Sequence, residues 1–168
     1  MTEAICWYAL YVKSRHEFVA SAALERKGIE TFLPSVTRIR RWSDREKALE
    51  FPLFPGYLFV RTVPVAERLW DVLRTRGAVT LVSFDHGNPA PVADEEINAL
   101  RKMTESGQHI DLYPNLKSGA RVRLVRGPLR GAYGILGGKE EQYTFLVNIE
   151  ILGRSVGVRI GADDFDIA

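Results

Sequence analysis

Nine of the chain's 14 glycines fall between residues 119 and 161, and this concentration restricts the fold more than any other feature. Each glycine costs about 1 kcal/mol against alanine inside a helix, so a helical reading of the carboxyl-terminal part is heavily penalised. Between the glycines, "ARVRLV", "AYGILGG", "YTFLVNIEI", "SVGVRIG" and "FDI" are short runs of strand formers separated by turns. The expectation is a small five-stranded β-barrel over residues 117–168, a size at which an independent core is marginal.

The residues before it have a different pattern. "AICWYALYV" (4–12) reads as a strand, and "SRHEFVASAALERKG" turns to helical character, with Ser14 and Glu17 at capping-box spacing and Gly28 as a stop. Extended structure returns from "IETFLPSVTRIRRW" to "SDREKALEFPLFPGYLFVRT", with Ser43 to Glu46 as the expected tip of a long hairpin. A helix over 65–77, a strand over 78–84 and a third helix capped by Asp94, with Ile97 and Leu100 on its buried side, complete a β-α-β-β-α-β-α order. That order implies an α+β fold of helices on a mostly antiparallel sheet. Periodicity is lost from Ser106 to Gly119, so the expected domains are 1–106 and 117–168, joined by a flexible linker over 107–116.

Within the first domain, "EFPLFPGYLFV" (50–60) is a hydrophobic strand interrupted by Pro52, Pro55 and Gly56. Composition alone makes its aromatics buried core and its prolines the mark of a sheet edge. Alternation places Tyr57 and Phe59 on one face, with Phe54 brought round by the bend at Pro55 and Gly56.

The 23 basic and 21 acidic side chains nearly cancel, so placement matters more than net charge. "RIRRW" (38–42), with Arg45 and Lys47, forms a basic hairpin arm diluted by Asp44, Glu46 and Glu50, while Lys13, Arg15, Arg74 and Arg76 gather near element ends. Such residues are either a solvated face or a contact for a phosphate backbone. His16, His86 and His109 match no metal or triad spacing. "GILGGKEE" lacks the glycine and hydroxyl positions of a phosphate loop, and Asp163, Asp164 and Asp166 have no accompanying ligand loop. No metal, cofactor or catalysis is expected. Cys6 has no cysteine to pair with, which with the absence of a signal or apolar span points to a cytoplasmic protein that does not enter membranes.

"WYALYVKSRHE", "PLFPGYLFV", "RTRG" and "GARVRLVRGPLRGAYGIL" together resemble the NusG family of transcription elongation factors, closest in wording to its specialised RfaH-type and UpxY-type branches. The resemblance covers nearly the whole chain and implies an NGN domain followed by an SH3-like KOW barrel, whose turn would be Gly127, Pro128, Gly131 and Gly134. It implies a monomeric factor, without cofactor, that promotes processive elongation and antitermination by holding RNA polymerase in its elongating state. The pocket for the polymerase clamp helices would be Tyr11, Phe54, Tyr57, Phe59 and Phe84. Lys13, Arg15, Thr75 and Arg76 would meet nucleic acid, the non-template DNA strand in particular. Arg68, Leu69 and Trp70 depart from a polar motif that some members use on the polymerase gate loop, which leaves Trp70 as a candidate for the core. Ile151, Leu152, Gly153 and Arg154 would contact a small-subunit ribosomal protein; Leu152 replaces a phenylalanine, and the smaller apolar area weakens the case for Rho. The glycine load implies that this barrel stays a barrel rather than refolding to a helical hairpin. The competing reading is a KOW-type RNA-binding or ribosome-associated protein without polymerase contact, in which an aromatic pocket has no purpose.

Overall fold

β1 (Cys6–Val12) organises the amino-terminal unit in the computed structural model, which describes residues 4–85, 87–114, 119–139 and 142–168. After it come α1 (Glu17–Arg26), β2 (Glu30–Phe32), β3 (Ser35–Arg41), β4 (Glu46–Pro52), β5 (Tyr57–Thr62), α2 (Ala66–Leu73), β6 (Ala78–Leu81) and β7 (Pro91–Val92). The main sheet is ordered β2-β5-β1-β6, with β7 also paired to β1, and the pairings of β1 with β5 and β6 are antiparallel. Period-two alternation gives this sheet two unlike faces. Tyr8, Leu10 and Val12 of β1 join Leu58 and Val60 of β5, Ala20 and Leu24 of α1, Val72 of α2 and Leu81 in one core. Each fully buried Leu or Val side chain in such a core contributes about 1.5–3 kcal/mol. On the other face, Trp7, Ala9 and Tyr11 stand opposite Arg61, Phe59 and Tyr57. Phe32 of β2 stands opposite Phe59 there as well.

Several local expectations need correction. Helix α1 starts at Glu17 with His16 as its N-cap and no side-chain cap. The chain first turns through Lys13 to His16, where the His16 amide donates to the Lys13 carbonyl at 3.0 Å, so Ser14 sits a residue pair too early to cap. Helix α3 (Asp94–Glu105) starts with Ala93 at the N-cap, and Asp94 is inside its acidic first turn instead, where carboxylates favour the positive end of the helix dipole. The strand expected over 78–84 ends at Leu81; its successor Val82 donates to the Ala9 carbonyl, after which the Ser83 hydroxyl bonds the Asp85 carbonyl and the chain bends away.

The chain divides by its contacts into residues 1–91 and 92–168, a boundary earlier than the expected one at 106. The second unit holds α3, β8 (Asp111–Pro114), β9 (Ala120–Leu124), β10 (Tyr133–Lys139), β11 (Gln142–Ile149), a 3₁₀ turn (Glu150–Leu152), β12 (Arg154–Ile160) and β13 (Phe165–Ile167). Its sheet has six strands in the order β13-β9-β10-β11-β12-β8, one more than expected. The extra strand, β8, lies in the stretch read as a linker, with Tyr113 opposite Ser155 and Leu112 opposite Val156. Its signal is four residues long and closed by a proline, too short to register as periodicity. A Cβ on Gly157 would lie 2.8 Å from the Tyr113 ring, so that glycine makes the space β8 uses. Linker residues 115 and 116 lie outside the described residues, as do His86 and Glu140.

Helix α3 buries Ile97, Ala99, Leu100 and Met103. The Lys102 ammonium donates to the Arg130 carbonyl at 3.0 Å, and Arg121 approaches Glu95 at 3.5 Å. Glu96 lines a cavity of about 310 Å³ with Glu95, Gly119, Arg121, Tyr133 and Asn148. Burial first, and then the nearby Glu150 carboxylate, push its pKa up to about 7, the helix dipole opposing this only in part. From about pH 4.5 to 7 the folded chain therefore holds a proton that the unfolded chain has released, so stability falls as pH rises through that window. Glu96→Gln is expected to be more stable than the wild type by about 1 kcal/mol at pH 8, allowing for solvent screening, and nearly equal at pH 4.5. Denaturant melts at the two pH values measure the difference.

Candidate functional site

Phe54, Pro55, Gly56 and Tyr57 form the tight turn that enters β5, with the Tyr57 amide donating to the Phe54 carbonyl at 3.0 Å. Proline at the second position and glycine with φ +89° at the third meet the demands of a type II turn. The Gly56 carbonyl then accepts from the Val12 amide at 2.8 Å, tying the turn to the end of β1. A Cβ on Gly56 would lie 3.4 Å from the Tyr11 ring, so the turn packs closely beneath that side chain. The prolines and the glycine that spoil a plain strand are thus the residues that set Tyr57 beside Tyr11.

The two tyrosine rings meet at 5.4 Å and 52°. Phe54 and Phe59 pack edge to face at 6.3 Å, and Phe32 stacks on Phe59 at 6.2 Å. Tyr11 is 41% exposed and Tyr57 half-buried, whereas Phe54 and Phe59 expose nothing. Four of the five expected pocket residues therefore lie on this turn and the two strands it ties together, Tyr11 and Tyr57 accessible and Phe54 and Phe59 buried. Phe84, the fifth, stands 72% exposed in the bend after β6.

At the same end of β1, the Lys13 amide donates to the Gly77 carbonyl at 2.8 Å, which sets the turn after β1 against the turn after α2. Gly77 has φ +88°, and a Cβ there would fall 2.9 Å from that of His16. Lys13, Arg15 and Arg76 are exposed along this edge, Arg15 at a φ of +62°. Thr75 is only 4% exposed; its hydroxyl donates to the Asp71 carbonyl at 2.9 Å and accepts from the Lys27 ammonium at 3.0 Å. It secures the end of α2 and is removed from the accessible nucleic-acid set. Trp70, a candidate for the core, is instead 56% exposed, with the Arg74 guanidinium 5.3 Å over its ring. Sequence reading missed this pair, although spacing i, i+4 on a helix is its signal.

In the second unit the glycine-rich turn is closed by the Gly131 amide on the Leu124 carbonyl at 2.7 Å, with Gly127 and Gly131 at φ +82° and +90°. Ile151 and Leu152 belong to the 3₁₀ turn, Gly153 follows it at φ +62°, and Arg154 opens β12. Asp164 is spent on a turn, its carboxylate accepting from the Gly161 amide at 2.7 Å. His16 bonds the Ser14 carbonyl, and His109 pairs with Asp111 at 2.8 Å on the surface. Among the described residues no helix is long and apolar enough to cross a membrane.

Known proteins agree with this architecture. The family model "NusG: Transcription termination factor nusG" matches residues 5–101. The transcription termination/antitermination protein NusG of Buchnera aphidicola is 25% identical over 166 residues, covering 92% of this chain and 91% of the relative. That of Staphylococcus epidermidis is 25% identical over 175 residues, covering 95% and 94%. A solved structure described as "Domain interaction in Thermotoga maritima NusG" shares the fold at a TM-score of 0.51, with 22% identity over 98% of this chain and 97% of the other. With a family match that spans more than half its length and relatives aligned along nearly all of it, the chain belongs to the NusG family of transcription termination and antitermination proteins.

Proposed function

We propose that this chain acts on transcription by binding RNA polymerase through the exposed Tyr11–Tyr57 edge and promotes processive elongation and antitermination. The observation that carries the reading is the ring pair itself: two adjoining tyrosines, one of them 41% exposed, brought together by a type II turn whose Phe54 packs on the buried Phe59. Rigid aromatic anchors of this kind suit a partner helix with a few apolar side chains, as the polymerase clamp helices are. Lys13, Arg15 and Arg76 lie beside that edge and are suited to the non-template DNA strand. Holding the polymerase in its elongating state is a shift of population, and the factor supplies no chemistry. The turn from Ile151 to Arg154 is the part of the barrel we assign to a small-subunit ribosomal protein, in preference to Rho.

Single-round transcription with core polymerase, over a template with a pause and a terminator, tests the proposal. Added protein is expected to shorten the pause and raise read-through; binding to ribosomes or RNA with no capture of polymerase would favour the competing reading. Occupancy across the genome on transcribing polymerase separates a specialist from a general factor. Replacing Lys13, Arg15 and Arg76 with alanine is expected to reduce the salt slope of single-stranded DNA binding by up to about 0.7 for each phosphate left without its cation. Titrations at several salt concentrations measure it.

A further inference from the structure

A cavity of about 630 Å³ lies where the loop after α1, the start of β1, the end of β5 and helix α2 meet, a volume typical of small-molecule sites. It is at the far end of the sheet from the tyrosine pair. Cys6 stands opposite Thr62 here and Tyr11 opposite Tyr57 there, and five residues at about 3.4 Å each separate the two places by about 17 Å.

Two kinds of surface line the cavity. Ile5, Ile29 and Val63 supply an apolar wall, of which Ile5 is 49% exposed. Lys27, Arg61 and Arg68 supply three cations against one lining carboxylate, Asp71. The cations are held in ways that leave them donors to give. The Lys27 ammonium donates to the Asp71 carbonyl and the Thr75 hydroxyl, each at 3.0 Å. Both acceptors are neutral, so the ammonium is positioned with its full charge and a third N–H. Arg68 comes only to 4.0 Å from the Asp71 carboxylate, beyond hydrogen-bond reach. Arg61 pairs with Glu30 at 3.1 Å through Nη1 alone, one nitrogen of a group with five N–H donors. Three cations against Asp71 and Glu30 leave one positive charge in excess among these groups.

We propose that this cavity binds a small phosphate monoester, with its phosphate on Lys27, Arg61 and Arg68 and its apolar body against Ile5, Ile29 and Val63. A guanidinium offers parallel N–H donors that match two oxygens of a phosphate, and an ammonium adds a point charge. A phosphate monoester has three acceptor oxygens and nearly two negative charges at neutral pH, so it can engage all three cations at once. A carboxylate has one charge and two oxygens. None of these residues belongs to the tyrosine edge or to the group of Lys13, Arg15 and Arg76, so the cavity is independent of the proposed polymerase contact.

The test is an NMR titration of the purified, nitrogen-15-labelled full chain with phenyl phosphate as the probe, and with inorganic phosphate and benzoate in parallel. Phenyl phosphate is expected to shift amides centred on Lys27, Gly28, Thr62 and Arg68. Inorganic phosphate, which lacks the apolar body, and benzoate, which lacks the second charge, are each expected to bind roughly tenfold more weakly. Arg68→Gln should weaken phenyl phosphate binding roughly tenfold. Arg126→Gln, the same charge change at an exposed residue of the second unit, should change it less than about twofold. Lys27→Gln is expected to act as Arg68→Gln does, and melting temperatures of the three variants separate loss of the site from loss of the fold. Equal losses in Arg68→Gln and Arg126→Gln would reduce the effect to net charge and overturn the proposal, as would an absence of shifts around the cavity. Benzoate binding as tightly as phenyl phosphate would overturn the assignment to phosphate, and inorganic phosphate binding as tightly would overturn the role of the apolar wall.

Discussion

Tyr57→Ala is expected to weaken binding to core RNA polymerase by about 2 kcal/mol or more, roughly thirtyfold, while leaving the fold intact. The ring is half-buried and pairs at 5.4 Å with Tyr11 at the edge of the sheet, so truncation removes contact area available to a partner and opens little of the core. Tyr11→Ala is expected to act in the same direction, and the double variant to lose less than the sum, because the rings touch. Phe59→Ala does not test the contact equally well. That side chain exposes nothing and packs against both Phe54 and Phe32, so its removal should cost about 3–5 kcal/mol of stability. Measuring unfolding and polymerase affinity on the same preparations separates the two effects. A Tyr57→Ala protein with normal stability and normal affinity would refute the binding edge.

Gly134→Ala is expected to destabilise the second unit by about 1–3 kcal/mol, the range for forcing extra atoms into a packed site. A Cβ there would sit 2.5 Å from both the Leu146 carbonyl oxygen and the Phe145 ring. The carbonyl belongs to β11, which is paired on both sides, and cannot give way as the end of a flexible side chain could. Phe145 is fully buried. By contrast, Gly127 has open space around it, and its φ of +82° accounts for its identity instead. Chemical denaturation, followed by near-ultraviolet dichroism from Tyr133, Tyr143 and Phe145, should show an earlier transition in the Gly134 variant. An unshifted transition would mean that the strands separate enough to admit a methyl group.

Much of this was readable from particular residues. The hairpin tip was expected at Ser43 to Glu46 and lies within Trp42 to Arg45, because a run of charged and turn-forming residues between two extended segments has few other uses. The strands of the barrel were readable from glycine spacing and short apolar runs. Strand β8 was not, because four residues ending in a proline have too little periodicity, and its stability comes from pairing with β12 across a long sequence separation. The face on which Tyr57 and Phe59 lie followed from alternation. The complete burial of Phe59 did not, since alternation assigns a face and says nothing of what covers it. Trp70 is outside, because a helix of eight residues leaves its rotation to packing, and Thr75, just past that helix, is held inside by the bonds of its hydroxyl to Asp71 and Lys27.

By itself the sequence determined the order of elements, the β character of the glycine-rich part and the kind of residue at the proposed binding edge. These depend on local backbone preference and on periods of two and 3.6, which neighbouring residues carry among themselves. Tertiary structure decided which aromatics remain accessible, which cations share an edge, and which cations converge on one cavity. Those properties depend on register and on contacts between distant segments, and a shift of one residue in pairing would exchange the two faces of a sheet.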